Sequence, residues 1–98
     1  MTSSLTAFAQ AAEWGLIWEV VDDDQLDARV AELAGRLATG PTEAYRLTKQ
    51  ALRQSMSNDL ETQLALEARL QGEAGRTRDF MEGVAAFLEK RPASYEGR

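Results

Sequence analysis

The side chains that could do chemistry in this 98-residue chain are carboxylates and cations, because the sequence has no His and no Cys. A Ser-His-Asp triad, imidazole acid–base catalysis, a thiolate nucleophile and a zinc–thiolate site are all excluded. Glu13, Glu61 and Glu67 are available as carboxylates, but no glycine-rich loop organises a site around them. We therefore predict no catalytic residue and no metal site within the chain.

Three consecutive carboxylates, Asp22, Asp23 and Asp24, could bind a cation or begin a helix. The glycine-punctuated spacing of a calcium loop does not follow them. Acidic residues are favoured at the start of a helix, where the macrodipole is positive and side-chain oxygens accept from free amides. We interpret the run as the N-cap and first turn of a helix.

Three cations, Arg46, Lys49 and Arg53, recur at i, i+3 and i+7 and would form a basic stripe on one helix. The simplest interpretation is a solvated face, and the alternative is contact with an anionic ligand or an acidic neighbour. The whole chain has a net charge of −5. That balance argues against a general nucleic-acid binder, so we expect no nucleic-acid partner.

Length and composition indicate one small domain. Apolar residues make up 44% and charged residues 28% of the chain, which is ordinary for a globular protein. No apolar run approaches the roughly 20 residues that a membrane span needs. The first residues carry no positive charge ahead of an apolar stretch, so they make a poor signal peptide. We expect a cytoplasmic protein that does not bind membranes.

The stretch from Thr77 to Arg91 is the clearest structural element. Apolar residues recur in it at i, i+4, i+7 and i+8, which predicts an amphipathic helix. Thr77 can cap its N-terminus, and Asp79 lies in the first turn. Lys90 and Arg91 close the last turn, and Pro92 stops the helix. The apolar stripe consists of Phe80, Val84, Phe87 and Leu88.

Four further helices are predicted, which makes the fold mainly α with four to five helices. Gly15 suits the position after the end of the first helix. Leu16–Val21 is apolar and partly β-branched, which favours a short buried strand or extended segment. No second strand is present in the sequence to pair with it. The four helices are expected at about Leu5–Trp14, Asp23–Ala38, Pro41–Met56 and Leu60–Glu73.

The apolar positions on these helices are grouped into faces. The second helix has a single face, formed by Leu26, Val30, Leu33 and Leu37. The third has a buried side formed by Ala44, Leu47, Ala51 and Leu52. The fourth has apolar residues on two sides, with Leu60 and Leu64 on one and Leu66 and Leu70 on the other. A lone small domain cannot cover all of this surface, so we expect self-association.

Three stretches match one family in order. A-A-E-W-G-L-I-W-E-V-V resembles the helix and strand usually written A-x-x-x-G-L-V-x-x-V-V in the crotonase superfamily of enoyl-CoA hydratases and isomerases. T-G-P-T-E-A-Y-R-L-T-K-Q-A-L resembles the segment that follows, including its lysine, here Lys49. The stretch from L-A-L-E-A-R-L to F-L-E-K-R resembles the last two helices of the family. Within the superfamily, the chain resembles the ring-epoxide isomerases of bacterial phenylacetate degradation more than the fatty-acid hydratases. The stretches that carry this resemblance are W-G-L-I-W-E-V-V-D-D, T-Q-L-A-L-E and A-G-R-T.

This resemblance implies that the chain is the C-terminal third or so of an acyl-CoA isomerase or hydratase. Residues 1–8 are then an unmatched or expression-derived start, 9–22 the end of the crotonase core, and 23–98 the helical region for oligomerisation and CoA contact. The family's oxyanion donors and catalytic carboxylates belong to a ββα spiral core that precedes this region. We therefore expect the full enzyme to be active and the 98-residue chain alone to be inactive.

The resemblance also implies partners and binding residues. The substrate of the full enzyme is an acyl-CoA thioester, no separate cofactor is needed, and the assembly is a trimer or a hexamer. By position, Phe87 resembles the residue that packs near the adenine, and Lys90 the one that approaches the CoA phosphates. Because these two residues are three apart, they should share a helix face. The alternative for Phe87 is an ordinary place in the core beside Phe80 and Val84.

Two other functions are compatible with the sequence. The chain could be a free-standing helical self-association module without CoA chemistry. It could also be a short crotonase that regulates full-length subunits by joining their trimers.

Overall fold

The computed structural model describes residues 2–98, with side chains from residue 6 onward, and no strand occurs in that range. This confirms the prediction of a mainly α fold. No helix in the described range is both long and apolar enough to cross a membrane. The five helices are α1 at Thr2–Glu13, α2 at Leu26–Ala38, α3 at Thr42–Ser55, α4 at Leu60–Gly75 and α5 at Arg78–Glu89.

The chain divides into two compact units, Met1–Leu33 and Ala34–Arg98. In the first unit, α1 ends as predicted at Gly15, whose φ of 78° is one that glycine adopts without steric cost. The amide of Leu16 donates to the carbonyl of Ala11 at 2.9 Å, and that of Gly15 to Ala12 at 3.1 Å. These two bonds form a Schellman motif, with Gly15 as its left-handed residue.

Of the two alternatives predicted for Leu16–Val21, a buried strand or an extended segment, the buried strand is wrong. Residues 14–18 form turns and bends, and residues 19–22 have no regular structure. Leu16 is 78% and Trp18 is 74% exposed. A strand needs a partner for its backbone amides and carbonyls, and the described chain contains none. Apolar and β-branched composition alone therefore did not suffice to form a strand.

The acidic run begins a helix, as predicted. Asp23–Gln25 forms one 3-10 turn directly before α2, and Asp23 and Asp24 lie in its first turn. Asp22 occupies the N-cap position in an extended conformation, but its side chain makes no capping hydrogen bond. Nor do any acidic side chains of the described residues cluster as a metal site would require.

The core of the second unit lies between α3 and α4. Leu47 of α3 packs with Leu66 and Leu70 of α4, and the partly buried Ala51 and Ala74 complete the cluster. α4 also packs against α5. One of the two predicted apolar sides of α4, that of Leu66 and Leu70, is therefore buried within the chain. Its second apolar side is also present and stays exposed, at Leu60 and Leu64.

One residue of the predicted buried side of α3 is wrongly placed. Leu52 is 64% exposed, whereas Leu47, one helical turn and a residue earlier, is buried. Leu52 lines an open groove of about 420 Å³ between α3 and α4. Alanines and the flexible side chains of Gln63 and Glu67 border this groove instead of a second layer of apolar residues.

Candidate functional site on the terminal helix

The start of α5 has the cap that the sequence predicts. The hydroxyl of Thr77 accepts a hydrogen bond from the amide of Phe80 at 3.1 Å. The same hydroxyl donates to the carbonyl of Ala74 at 2.7 Å, which joins the cap to the end of α4. An N-cap of this kind stabilises a helix by about 1 kcal/mol.

The end of α5 differs from the prediction. The helix stops at Glu89, and Lys90 has left-handed backbone angles, φ 56° and ψ 44°. The amide of Arg91 donates to Ala86 at 3.0 Å and that of Lys90 to Phe87 at 3.3 Å. This is again a Schellman motif, here with Lys90 at the position that glycine usually occupies. Lys90 therefore follows the helix and does not share a helix face with Phe87, contrary to the prediction from spacing.

The C-terminal tail, residues 92–98, returns along α5 to the start of that helix. There the carboxylate of Asp79 accepts from the amide of Glu96 at 2.7 Å and from that of Gly97 at 2.8 Å. The amide of Asp79 donates to the carbonyl of Arg98 at 2.8 Å. Asp79 is only 3% exposed. It thus anchors the tail, in addition to lying at the positive end of the helix.

Glu82, one turn further along α5, holds the beginning of the tail. It accepts two bonds from the guanidinium of Arg91, at 2.7 and 3.1 Å, and one from the amide of Ser94 at 2.7 Å. Arg91 also donates to Glu89 at 2.6 Å. The hydrogen bonds from Arg91, followed by that from Ser94, lower the pKa of Glu82 from 4.5 to about 2. Glu82 is therefore ionised at neutral pH.

An apolar groove of about 460 Å³ lies beside α5. Phe87 lines it and is 82% exposed, so it is not a core residue within this chain. Among the described residues, no carboxylate pairs with the ammonium of Lys90. An exposed aromatic ring near the end of α5 is thus followed, three residues later, by a cation without a carboxylate partner in the part of the chain that the structure describes. Other side chains that line the groove belong to Thr77, Phe80, Val84, Leu88 and Tyr95.

The basic stripe on α3 is an exposed surface, as its simplest interpretation has it. Arg46 pairs with Glu43 of the same helix at 2.8 Å. The pKa of Glu43 is lowered, chiefly by its hydrogen bonds with that guanidinium. Lys49 and Arg53 are exposed. The acidic neighbour that the sequence left open is therefore present for Arg46.

The roles of Asp79 and Glu82 were not predicted. Both act on residues 9 to 18 positions away, beyond the end of the helix. A faint signal was available, because two carboxylates three residues apart on α5 are followed by Arg91 and by a short tail that contains Gly97. Gly97 has a φ of 81°, and a Cβ there would lie 2.8 Å from the hydroxyl of Thr42.

The helical arrangement and the terminal helix are those of the C-terminal region of a crotonase fold. The family model for enoyl-CoA hydratase/isomerase matches residues 1–98. The chain therefore belongs to the enoyl-CoA hydratase/isomerase family.

Relatives and solved structures agree with that assignment. The chain is 52% identical to a probable enoyl-CoA hydratase of Rhodobacter capsulatus, over 91% of the chain and 35% of the relative. It is 49% identical to the 1,2-epoxyphenylacetyl-CoA isomerase of Escherichia coli, over 91% and 34%. A crystal structure of a putative enoyl-CoA hydratase/isomerase from Mycobacterium abscessus matches with a TM-score of 0.83 at 39% identity, over 91% of this chain and 34% of that one. The chain thus spans about a third of the length of the curated relatives it matches.

Proposed function

We propose that this chain is the C-terminal helical region of an acyl-CoA isomerase or hydratase, in which α5 binds the coenzyme part of the substrate. The reaction of the full enzyme is a double-bond or ring-epoxide isomerisation, or a hydration, of a CoA thioester. The catalytic groups lie outside these residues. The observation that carries the proposal is the exposed pair Phe87 and Lys90 at the end of α5, in a chain of this family.

Phe87 offers a surface for the adenine ring. A planar base gains about 1–3 kcal/mol by stacking on an aromatic side chain. The ring is exposed and borders an apolar groove, so a base placed there would contact apolar side chains as well. The alternative role of Phe87 in the core of this chain is not supported by its exposure.

Lys90 offers a charge for the phosphates. An ammonium is a compact partner for a phosphate oxygen. Its backbone conformation is one that costs a residue with a Cβ about 1–2 kcal/mol, whereas α1 uses Gly15 at the equivalent position. A lysine in place of the usual glycine at such a position is consistent with a function for its ammonium.

The full enzyme is further proposed to be a homo-oligomer, a trimer or a hexamer. Support comes from apolar side chains that the described residues leave uncovered on α2, α4 and α5. They include Leu26, Val30, Leu60, Leu64, Phe80 and Leu88. Burial of this surface against other subunits or the preceding part of the enzyme would remove it from water.

The proposed CoA contact is tested in the full-length enzyme by Lys90→Ala. An exposed ammonium–phosphate contact contributes to substrate and transition state alike, so KM should rise about 2- to 5-fold while kcat stays within about 2-fold. The increase should be larger at low salt, where the attraction is less screened. Arg36→Ala, which removes an exposed cation from α2, is the matched control and should leave KM unchanged. An unchanged KM for Lys90→Ala would refute the assignment.

A second test concerns the chain itself. The purified 98-residue chain should not turn over crotonyl-CoA or a 3-enoyl-CoA. Conversion above a buffer control would show that catalytic groups lie within these residues.

A further inference from the structure

Glu82 of α5 contacts residues that follow the end of that helix. Its carboxylate accepts from both terminal nitrogens of Arg91, at 2.7 and 3.1 Å, and from the amide of Ser94 at 2.7 Å. A guanidinium held by two parallel bonds is fixed in orientation as well as in distance. One side chain of the helix therefore fixes two points of the segment that leaves it.

Lys90 lies between the helix and these two points. Its amide donates to the carbonyls of Ala86 and Phe87, and the amide of Arg91 donates to Ala86 at 3.0 Å. Pro92 restricts the backbone of Arg91 to extended conformations. The backbone of Lys90 is thus fixed by these hydrogen bonds before it and by Pro92 after it. This fixes the direction of its Cα–Cβ bond, while the residue stays exposed.

The far end of the tail is held independently. Asp79, one turn before Glu82 on α5, accepts from the amides of Glu96 and Gly97. Between the two anchors, the ring of Tyr95 lies against Gly83, with its hydroxyl 3.5 Å from the place of a Cβ on that glycine. Loss of the Glu82 contacts would release Ser94 and leave Glu89 as the carboxylate partner of Arg91, which would loosen the corner at Lys90 while Asp79 keeps the end of the tail in place.

We propose that Glu82 is a positioning residue for Lys90. By holding Arg91 and Ser94, it sets the direction in which the Lys90 ammonium points and so the affinity for the phosphates of a CoA thioester. This inference rests on the proposed function, in which Lys90 binds those phosphates. The bare charge of Glu82 acts in the opposite sense, because an anion near the site repels phosphate. The two effects can therefore be separated by the sign of the change.

The first experiment measures the kinetics of Glu82→Gln in the full-length enzyme with an enoyl-CoA substrate. Positioning predicts that KM rises about 2- to 5-fold with kcat within about 2-fold, although a negative charge has been removed. Glu73→Gln is the control, since it removes the same charge from an ion pair on α4, with Arg69 at 3.0 Å, and should leave KM unchanged. A KM that falls or stays constant in Glu82→Gln, while Lys90→Ala raises it, overturns the inference.

A second variant tests the same ion pair from the other partner, in case Glu82→Gln does not fold correctly. Arg91→Lys keeps the positive charge but cannot form two parallel bonds to one carboxylate. It should raise KM as Glu82→Gln does. Combining Glu82→Gln with Lys90→Ala should raise KM no further than Lys90→Ala alone, because Glu82 acts through Lys90. Independent, multiplied effects in the double variant would overturn the inference.

The third measurement does not depend on activity. Hydrogen exchange of the peptide containing residues 90–98 should be faster in Glu82→Gln than in the wild type, and unchanged in Glu73→Gln and Lys90→Ala. Equal exchange in Glu82→Gln and the wild type would contradict the positioning role. Exchange could accelerate in Glu82→Gln while Lys90→Ala leaves KM unchanged. That result would refute the proposed CoA contact of Lys90 and the effect of Glu82 on affinity. It would still show that Glu82 anchors residues 90–98.

Discussion

The carboxylate of Asp79 accepts a hydrogen bond from the amide of Gly97 at 2.8 Å, across 18 positions of sequence. A second bond, from the amide of Glu96, ends on the other oxygen of the same carboxylate. Asp79 is buried, and its removal would leave two partly buried amides without these partners. The far end of the tail, at Glu96 and Gly97, is therefore held by one side chain of α5.

We expect Asp79→Ala to lower the free energy of unfolding by about 3 kcal/mol, because hydrogen bonds to a charged group contribute about 1.5–3 kcal/mol each. Glu61→Ala is the matched control. Glu61 occupies the same position in the first turn of α4 but is exposed, so it loses only a helix-dipole interaction of about 0.3–1 kcal/mol. Denaturant unfolding of both variants measures the difference. Equal losses would show that the tail contacts contribute nothing.

The contribution of Glu82 to stability should depend on pH. Its pKa is about 2 in the folded chain against an ordinary value of 4.5, so the folded state favours the ionised form. This stabilisation is fully present above pH 4.5 and is lost as the pH falls towards about 2. The difference in unfolding free energy between the wild type and Glu82→Gln should therefore be constant near neutral pH and shrink across that window. A difference that stays constant throughout would contradict the ion pair with Arg91.

Two substitutions of Lys90 distinguish the effect of its backbone conformation on stability from the effect of its side chain on CoA binding. Both Lys90→Gly and Lys90→Ala remove the ammonium, so both should raise KM for acyl-CoA in the full enzyme. Lys90→Gly should be the more stable by about 0.5–1 kcal/mol, because relief of left-handed strain outweighs the added entropy of the unfolded chain. Thermal unfolding distinguishes the two. A less stable Lys90→Gly would mean that the φ of 56° is not strained in context.

The leucine core and the exposed ring should respond differently to truncation. Leu70→Ala removes a buried side chain and should cost about 2–5 kcal/mol, whereas Phe87→Ala should change the stability of the 98-residue chain by less than about 0.5 kcal/mol. Denaturant unfolding of the two variants tests this. A loss of several kcal/mol for Phe87→Ala in the 98-residue chain would restore the core interpretation of that residue.

We expect the 98-residue chain to self-associate, because its helices expose apolar side chains that water disfavours. Phe87 and Leu88 are among the most exposed of these. Sedimentation over a range of concentrations measures the association. A monomer mass that does not change up to millimolar concentration is the result that excludes it.

Local features of this fold were predictable from the sequence. Thr77 caps α5, and Asp59 caps α4 by accepting from Thr62 at 2.8 Å; both positions depend only on residues three apart. The apolar spacing on α4 correctly predicted two apolar sides, but it did not predict which of them is buried within the chain. Gly15 was also placed correctly, since a residue after a helix end needs only its own backbone freedom.

Features that depend on distant partners were not predictable. The segment Leu16–Val21 has the composition of a strand, but a strand exists only with a neighbour to pair with. Asp79 and Glu82 looked like ordinary charges on a helix, because their partners follow the end of that helix. The sequence predicted Lys90 as a cation in the last turn of α5, whereas the helix ends at Glu89 and Lys90 has a left-handed backbone. The CoA contact of Phe87 and Lys90 stays a prediction.

The return of the tail also determines how the protein can be handled in the laboratory. The carbonyl of Arg98 accepts from the amide of Asp79, so residue 98 lies at the start of α5, not beyond its end. An affinity tag fused after Arg98 would begin beside a buried carboxylate and next to Thr42, which already lies close to Gly97. A flexible linker ahead of such a tag should preserve the amide contacts of Asp79, whereas a rigid fusion would compete with them for the same space.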